Sequence, residues 1–243
     1  MFLVHPPKEA FFHMKFVHRL LGILIAFCLM WILFITSIQA VVYWNPGYFE
    51  KEYTKYQVLD DLPPMTMEDL LDVTDEMMDY LKGDRADLHV VTTMGGETRE
   101  FFNNREIAHM EDVRDLFLGA IFLRRVCLVA AVACLALLFG LKAQIRRVLP
   151  PALCLGTGLF FGILAVLAAI ISTDFSKYFV VFHHIFFKND LWILNPETDM
   201  LINIVPEGFF LDTAARIAGL YGALVLVLFG VSLFLSLRGR GKK

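Results

Sequence analysis

The sequence predicts an α-helical integral membrane protein: four transmembrane helices with a small extracellular cap of mixed helix and hairpin. Three observations lead there. Hydrophobic residues make up 57% of the 243-residue chain, and mean hydropathy is +0.60, beyond what an ordinary soluble domain carries. That excess falls in four blocks, each long enough at about 1.5 Å per residue to cross a hydrocarbon layer of about 30 Å. Lys and Arg collect in one set of connections between the blocks, and Asp and Glu in the other.

The first span is read as residues 16–42. Its apolar stretch is about twice the length of a signal-peptide core, and no small-x-small site closes it, so a retained anchor is expected. Residues 43–115 form the cap and lead into the second span, 116–142. Arg124 and Arg125 interrupt that span. One continuous helix lets both reach the headgroups, whereas a charge at the bilayer centre costs several kcal/mol. The third span is 150–172, the second external segment 173–212, and the fourth span 213–237. Lys8, Lys15, Arg19, Lys142, Arg146, Arg147, Arg238, Arg240, Lys242 and Lys243 flank these spans with only Glu9 as an acid among them. Basic flanks stay in the cytoplasm. Residues 1–15, 143–149 and 238–243 are therefore expected inside, giving an N-in, C-in protein with its acidic segments outside.

Cys28, Cys127, Cys134 and Cys154 all fall within spans, which excludes an extracellular disulfide framework. They read as small apolar packing residues, since a reactive thiol needs a polar, electropositive setting. Nucleic acid is an unsuitable partner, because the basic residues are confined to membrane flanks. No P-loop, dinucleotide fingerprint, internal repeat or low-complexity tract is present.

Within the cap, Thr66 and Asp69 form a capping box ahead of an amphipathic helix over Met67–Lys82, with Leu70, Leu71, Thr74, Met77, Met78 and Leu81 on one face and Gly83 as the stop. A hairpin over 88–93 and 97–102 turns at Gly95-Gly96. Asn103 or Asn104 then caps a helix that runs into the second span. On it Arg105, His109 and Asp112 share a face at i+4 and i+3 spacing. A histidine just above the bilayer with a carboxylate placed to hold its ring is one reading; a solvated helix face is the other. The second external segment sets His183 and His184 among Phe182, Phe186, Phe187 and Trp192. So much apolar area suits an interfacial or re-entrant segment better than a free loop.

These motifs resemble the bacterial lipoprotein intramolecular transacylase (Lit) family of integral membrane proteins. Residues 102–113, Phe-Asn-Asn-Arg-Glu-Ile-Ala-His-Met-Glu-Asp-Val, carry the resemblance, with 182–187, Phe-His-His-Ile-Phe-Phe, and downstream Trp192, Asp199 and Pro206-Glu207. The resemblance implies an acyltransferase of the bacterial plasma membrane that needs no cofactor and no metal. Its partners would be diacylglyceryl-modified lipoproteins and membrane lipids. It would move the sn-2 acyl chain from glycerol to the α-amino group of the N-terminal cysteine, giving lyso-form lipoprotein. The family's two catalytic histidines map to His109 and His183, leaving His184 beside them without an assigned part. Supporting positions would be Asp112, Arg105, Glu106 and Arg124, and the lipid site would be lined by Phe101, Phe102, Phe182, Phe186, Phe187 and Trp192.

The chemistry is coherent with the residues present. Nucleophile and acyl donor belong to one substrate, so no enzyme nucleophile is required, and no Gly-x-Ser-x-Gly motif is found. A base and an acid are required, and histidine titrates in the useful range for both. Two other readings stand beside this one. A zinc-dependent membrane hydrolase would use His109, His183, His184 and a carboxylate, though H-E-x-x-H is lacking. A four-span sensor or scaffold would use the cap to bind an envelope protein.

Overall fold

The computed structural model describes the backbone of residues 8–240 and the side chains of 14–239. In chain order the elements are α1 (Lys8–Val42), α2 (Tyr48–Lys55), a 3-10 turn (Val58–Asp61), α3 (Met67–Lys82), β1 (Val91–Met94), β2 (Glu97–Glu100), α4 (Asn104–Gly140), α5 (Ile145–Ile171), α6 (Phe175–Phe186), α7 (Met200–Ile204) and α8 (Glu207–Arg240). Four helices, α1, α4, α5 and α8, are long and apolar enough to cross a membrane among the described residues. They divide between two compact units. One comprises residues up to Ser37, Leu123–Ala168 and Ala218 onward; the other comprises Ile38–Phe122 and Ala169–Ile217.

The first unit is a helix bundle packed through small residues. Gly22 and Ala26 on α1 are one turn apart and face Ala152 and Gly156 on α5, also one turn apart. A Cβ on Gly156 would sit 2.8 Å from the Ala26 Cβ, and one on Gly22 would sit 3.1 Å from that of Ala152. This is the small-xxx-small contact that lets membrane helices approach closely when no hydrophobic effect drives them together. Met30 on α1 packs with Tyr221 and Val225 on α8. The hydroxyls of Ser37 and Thr157 donate to the carbonyls of Leu33 and Leu153, at 2.8 and 2.7 Å, so neither is left unbonded in an apolar setting.

The second unit has a core of the ordinary globular kind. α3 starts at the expected capping box: Thr66 Oγ1 accepts from Asp69 N at 3.0 Å while Asp69 accepts from the Thr66 backbone. It stops at Gly83, whose φ is 90° and which lies so close to Leu118 that a Cβ would come within 3.1 Å. The helix buries Leu70, Val73, Thr74, Met77, Met78 and Leu81, each apolar side chain contributing about 1.5–3 kcal/mol before entropy is counted. Against them pack Tyr53, Val58, Leu88, Val90, Phe101, Phe102 and Met110. β1 and β2 form an antiparallel pair in the register Val91↔Glu100 to Met94↔Glu97. The two-residue turn at Gly95-Gly96 has both φ values positive, as a hairpin of that length demands.

Ahead of α3 the chain forms α2, whose Tyr48, Glu52 and Tyr53 are buried. Glu52 accepts from Arg216 of α8 at 2.7 Å, and burial, the dominant influence, pushes its carboxyl above the usual range despite that arginine.

Candidate active site

The site begins with the way α4 starts. Asn103 caps it, its Oδ1 accepting from Arg105 N at 2.9 Å and Glu106 N at 3.0 Å. Glu106 returns the bond by accepting from Asn103 N at 2.7 Å, completing a capping box. Glu106 is fully buried, and its second oxygen accepts from Leu201 N at 2.6 Å. Burial raises its pKa, and the backbone N–H donors pull the other way. Asp199 lies beside it. It accepts from Asn195 N and Asn103 Nδ2, both at 2.7 Å, and from the Thr198 hydroxyl at 3.0 Å. Those bonds outweigh its burial and hold its carboxyl below the usual range. The two acids fasten the 195–201 segment to the first turn of α4.

His109, one turn further along α4, is 6% exposed, and His183 on α6 is 8% exposed. Their ring centroids are 6.3 Å apart, tilted by 35°. Phe187 stands against both rings, at 5.3 and 5.5 Å. Trp192 lies over His183 at 4.8 Å, Phe179 at 4.3 Å and Phe182 at 5.5 Å. His183 Nδ1 is 2.7 Å from the Phe179 carbonyl oxygen. A carbonyl only accepts, so Nδ1 carries the proton, and the neutral ring keeps its lone pair at Nε2. His109 Nδ1 and Trp192 Nε1 are buried without a hydrogen-bond partner. His109 lies ahead of the stretch read as the second span. Burial, reinforced by His183, lowers its pKa to about 4, with Asp112 opposing. Burial lowers that of His183 too, against the bond to Phe179. Both imidazoles are neutral near pH 7.

Residues 23–210 match the sequence model of the lipoprotein intramolecular transacylase Lit family. The chain belongs to that family. It is thus an acyltransferase. Among solved structures, the membrane-integral lipoprotein intramolecular transacylase Lit from Bacillus cereus superposes with a TM-score of 0.76 at 21% identity, covering 94% of this chain and all of that one. Two forms of the same protein, one with a histidine changed to arginine and one to alanine, superpose at 0.75 and 0.74, again at 21% identity, over 98% and 97% of this chain and all of theirs. These likenesses establish the shared fold. Comparison with curated protein sequences gave no match.

In this Lit family member the positions singled out in the sequence fall in different places. His109, His183, Phe182, Phe187 and Trp192 come together. Phe186 packs on Phe182 at 4.6 Å and is half exposed. Phe101 and Phe102 do not join them: both are 2% exposed in the core beneath α3, their rings edge to face at 4.9 Å. They follow the hairpin at the point where the chain needs apolar bulk, and pattern alone does not separate that from a lipid wall. His184 is exposed, its ring perpendicular to that of Trp192 at 5.2 Å. Among the described residues no group of three His, Cys, Asp or Glu side chains is placed to hold a metal.

The shared face of α4 is arranged differently from the expected one. Asp112 does not hydrogen-bond the His109 Nδ1; its carboxylate accepts from Asn189 Nδ2 at 2.8 Å. Arg105 donates to the Asp190 carbonyl. Both therefore grip the 189–193 turn that carries Trp192. Asn189 and the Phe179 carbonyl had no signal in the sequence beyond their proximity to the histidines. Arg124 belongs to the helix-bundle unit.

Proposed function

We propose that this Lit family member moves the sn-2 acyl chain of a diacylglyceryl lipoprotein to the α-amino group of its N-terminal cysteine, using His183 as the base and His109 as its partner. The observation that carries the reading is the pair of buried, neutral imidazoles 6.3 Å apart in an aromatic enclosure. In it, one ring nitrogen of His109 has no partner and the His183 tautomer leaves Nε2 available. Such a spacing lets one reacting group, or one water, bridge the two rings.

The α-amino nitrogen attacks the ester carbonyl, and its proton passes to His183 Nε2. Breaking the carbonyl–oxygen bond to glycerol requires a proton on the leaving oxygen, supplied from the imidazole pair. The product is an amide and a free sn-2 hydroxyl, so atoms and charge balance with no external reactant. A base whose pKa is depressed is useful here because the same burial depresses the pKa of the attacking ammonium, ordinarily near 8. The attack closes a ring of about eight atoms through cysteine and glycerol, so holding the two ends together is a large part of the work. Aromatic walls also keep out water that would hydrolyse the ester.

The proposed orientation has both termini in the cytoplasm and the second unit outside. It is supported by the basic flanks. The exposed apolar residues of α6, Val181, Phe182, Ile185 and Phe186, are then in contact with the outer leaflet, where the substrate's acyl chains lie. The test is expression in a bacterium that makes only diacylglyceryl lipoprotein, with fragmentation mass spectrometry of an N-terminal lipopeptide. N-acyl fragments that vanish in His109→Ala and His183→Ala support the reading. An unchanged diacylglyceryl pattern with folded protein in the membrane refutes it.

A further inference from the structure

Attack of the amine on the ester turns the carbonyl oxygen into an oxyanion, and stabilising that charge is usually the largest single contribution to acyl transfer. Neither imidazole is free to do so while it handles protons. The indole N–H of Trp192 is a donor only. It is buried and unpartnered, on a ring lying 4.8 Å from His183 at a tilt of 31°. A buried indole N–H nearly always finds an acceptor, so one without an acceptor beside a catalytic-type histidine points to an acceptor that arrives with the substrate.

The way Trp192 is held strengthens the case. It sits on a short turn in which Leu191 N bonds to Asn189 Oδ1 at 3.1 Å and Ile193 N to the Asp190 carbonyl at 3.2 Å. That turn is gripped from α4 by Asp112, through Asn189, and by Arg105, through the Asp190 carbonyl. Arg105 and Asp112 flank His109 on the same helix face, so one rigid element sets both the imidazole and the indole. A side chain needed only to provide apolar wall does not require two polar clamps. An oxyanion donor does, because its value depends on being in position before charge develops.

We propose that Trp192 is a catalytic residue whose Nε1–H donates to the oxyanion of the tetrahedral intermediate, with Asp112 and Arg105 as positioning residues for it. The proposal rests on the transacylase reading of the histidine pair. In the step, the nitrogen–carbon bond forms as the carbonyl π pair moves onto oxygen, where the indole donates. When the π bond re-forms, the pair returns, the glycerol oxygen leaves, and the indole bond weakens. No proton is transferred from Trp192.

The test replaces Trp192 by Phe and, separately, by β-(3-benzothienyl)alanine, which keeps the indole's shape but puts sulfur where the N–H was. N-acyl product formation from a synthetic diacylglyceryl lipopeptide is followed in detergent micelles, alongside thermal unfolding. The proposal expects kcat to fall about 100-fold to 1000-fold in both proteins, with KM within threefold and an unfolding temperature unchanged for the benzothienyl protein. Asp112→Ala should lower kcat about tenfold with KM steady, and Asp112→Asn, which retains a carbonyl acceptor for Asn189, should recover most of it. If the benzothienyl protein keeps kcat within threefold, or loses activity only through KM, Trp192 is a wall residue and the proposal fails. Wild-type protein that makes no N-acyl product overturns the transacylase reading instead, so the two failures are distinguishable.

Discussion

The two units of this protein are held together by opposite means. Among the residues whose side chains are described, the helix-bundle unit contains no Asp or Glu. Its close contacts are between Gly22, Ala26, Ala152 and Gly156. The other unit carries the acids, and its buried polar groups are bonded across long sequence distances: Glu106 to Leu201, Asn103 to Asp199, Glu52 to Arg216. In lipid the chain gains little from burying apolar surface against itself, so shape complementarity has to serve. Outside lipid the hydrophobic effect builds a core, and buried hydrogen bonds then fix which segments meet. The histidine pair lies in the unit where position is set by directional bonds.

That contrast can be broken in graded ways, beginning with the site itself. His183→Ala and His109→Ala should each reduce N-acyl product by about 100-fold to 10,000-fold, with the protein still folded. The measurement is product formation per mole of membrane-extracted protein. Next in size is the core of the second unit. Phe102→Ala should cost about 3–5 kcal/mol of stability, seen as earlier proteolysis of that unit. Any protein that remains folded should turn over normally, because Phe102 does not touch the histidines.

Glu106→Ala leaves the N–H groups of Asn103 and Leu201 without an acceptor, at about 1–3 kcal/mol for each buried group. Hydrogen exchange should rise in residues 195–204 and at the start of α4 while the bundle stays protected. Glu106→Gln, which keeps one acceptor oxygen, should fall between Ala and wild type. A smaller effect is expected with pH. His109 has a folded pKa lowered to about 4, below its unfolded value of about 6.5. The unfolded chain therefore binds more protons between those two values. Stability from this group is fully present above pH 6.5 and is lost progressively as pH falls toward 4. His183, shifted the same way, acts in the same sense. The pH–rate profile should accordingly show no break at 6.5; a break there would contradict neutral, buried imidazoles. Smallest of all, His184→Ala should leave the rate within threefold, since that ring is exposed and stands perpendicular to Trp192 without a bond to its N–H.

Much of this was legible in the sequence, for identifiable reasons. Three of the four membrane-crossing helices follow from unbroken apolar length, and the second from reading one helix through Arg124 and Arg125. The ends of α3 follow from Thr66, Asp69 and Gly83, whose capping chemistry is local. The turn at Gly95-Gly96 follows from the need for positive φ. A cap at Asn103 or Asn104 was recognisable, because a cap reads its neighbours two and three residues on, and the structure selects Asn103. What stayed hidden was non-local. That Glu106 reaches Leu201, or Asp112 reaches Asn189 rather than His109, depends on how segments about 80 to 95 residues apart are brought together, which helical spacing does not encode. The same limit made Phe101 and Phe102 indistinguishable from Phe182 and Phe187 before the fold was known.

The most direct test of the account follows one acyl chain. A diacylglyceryl lipopeptide bearing a carbon-13-labelled chain at sn-2 alone is given to the purified protein, and fragmentation of the product locates the label. The account predicts label on the cysteine α-nitrogen, an unlabelled chain still on glycerol, and no transfer by the protein carrying both His109→Ala and His183→Ala. Label that stays on glycerol or appears as free fatty acid, or equal transfer by the doubly substituted protein, would contradict it.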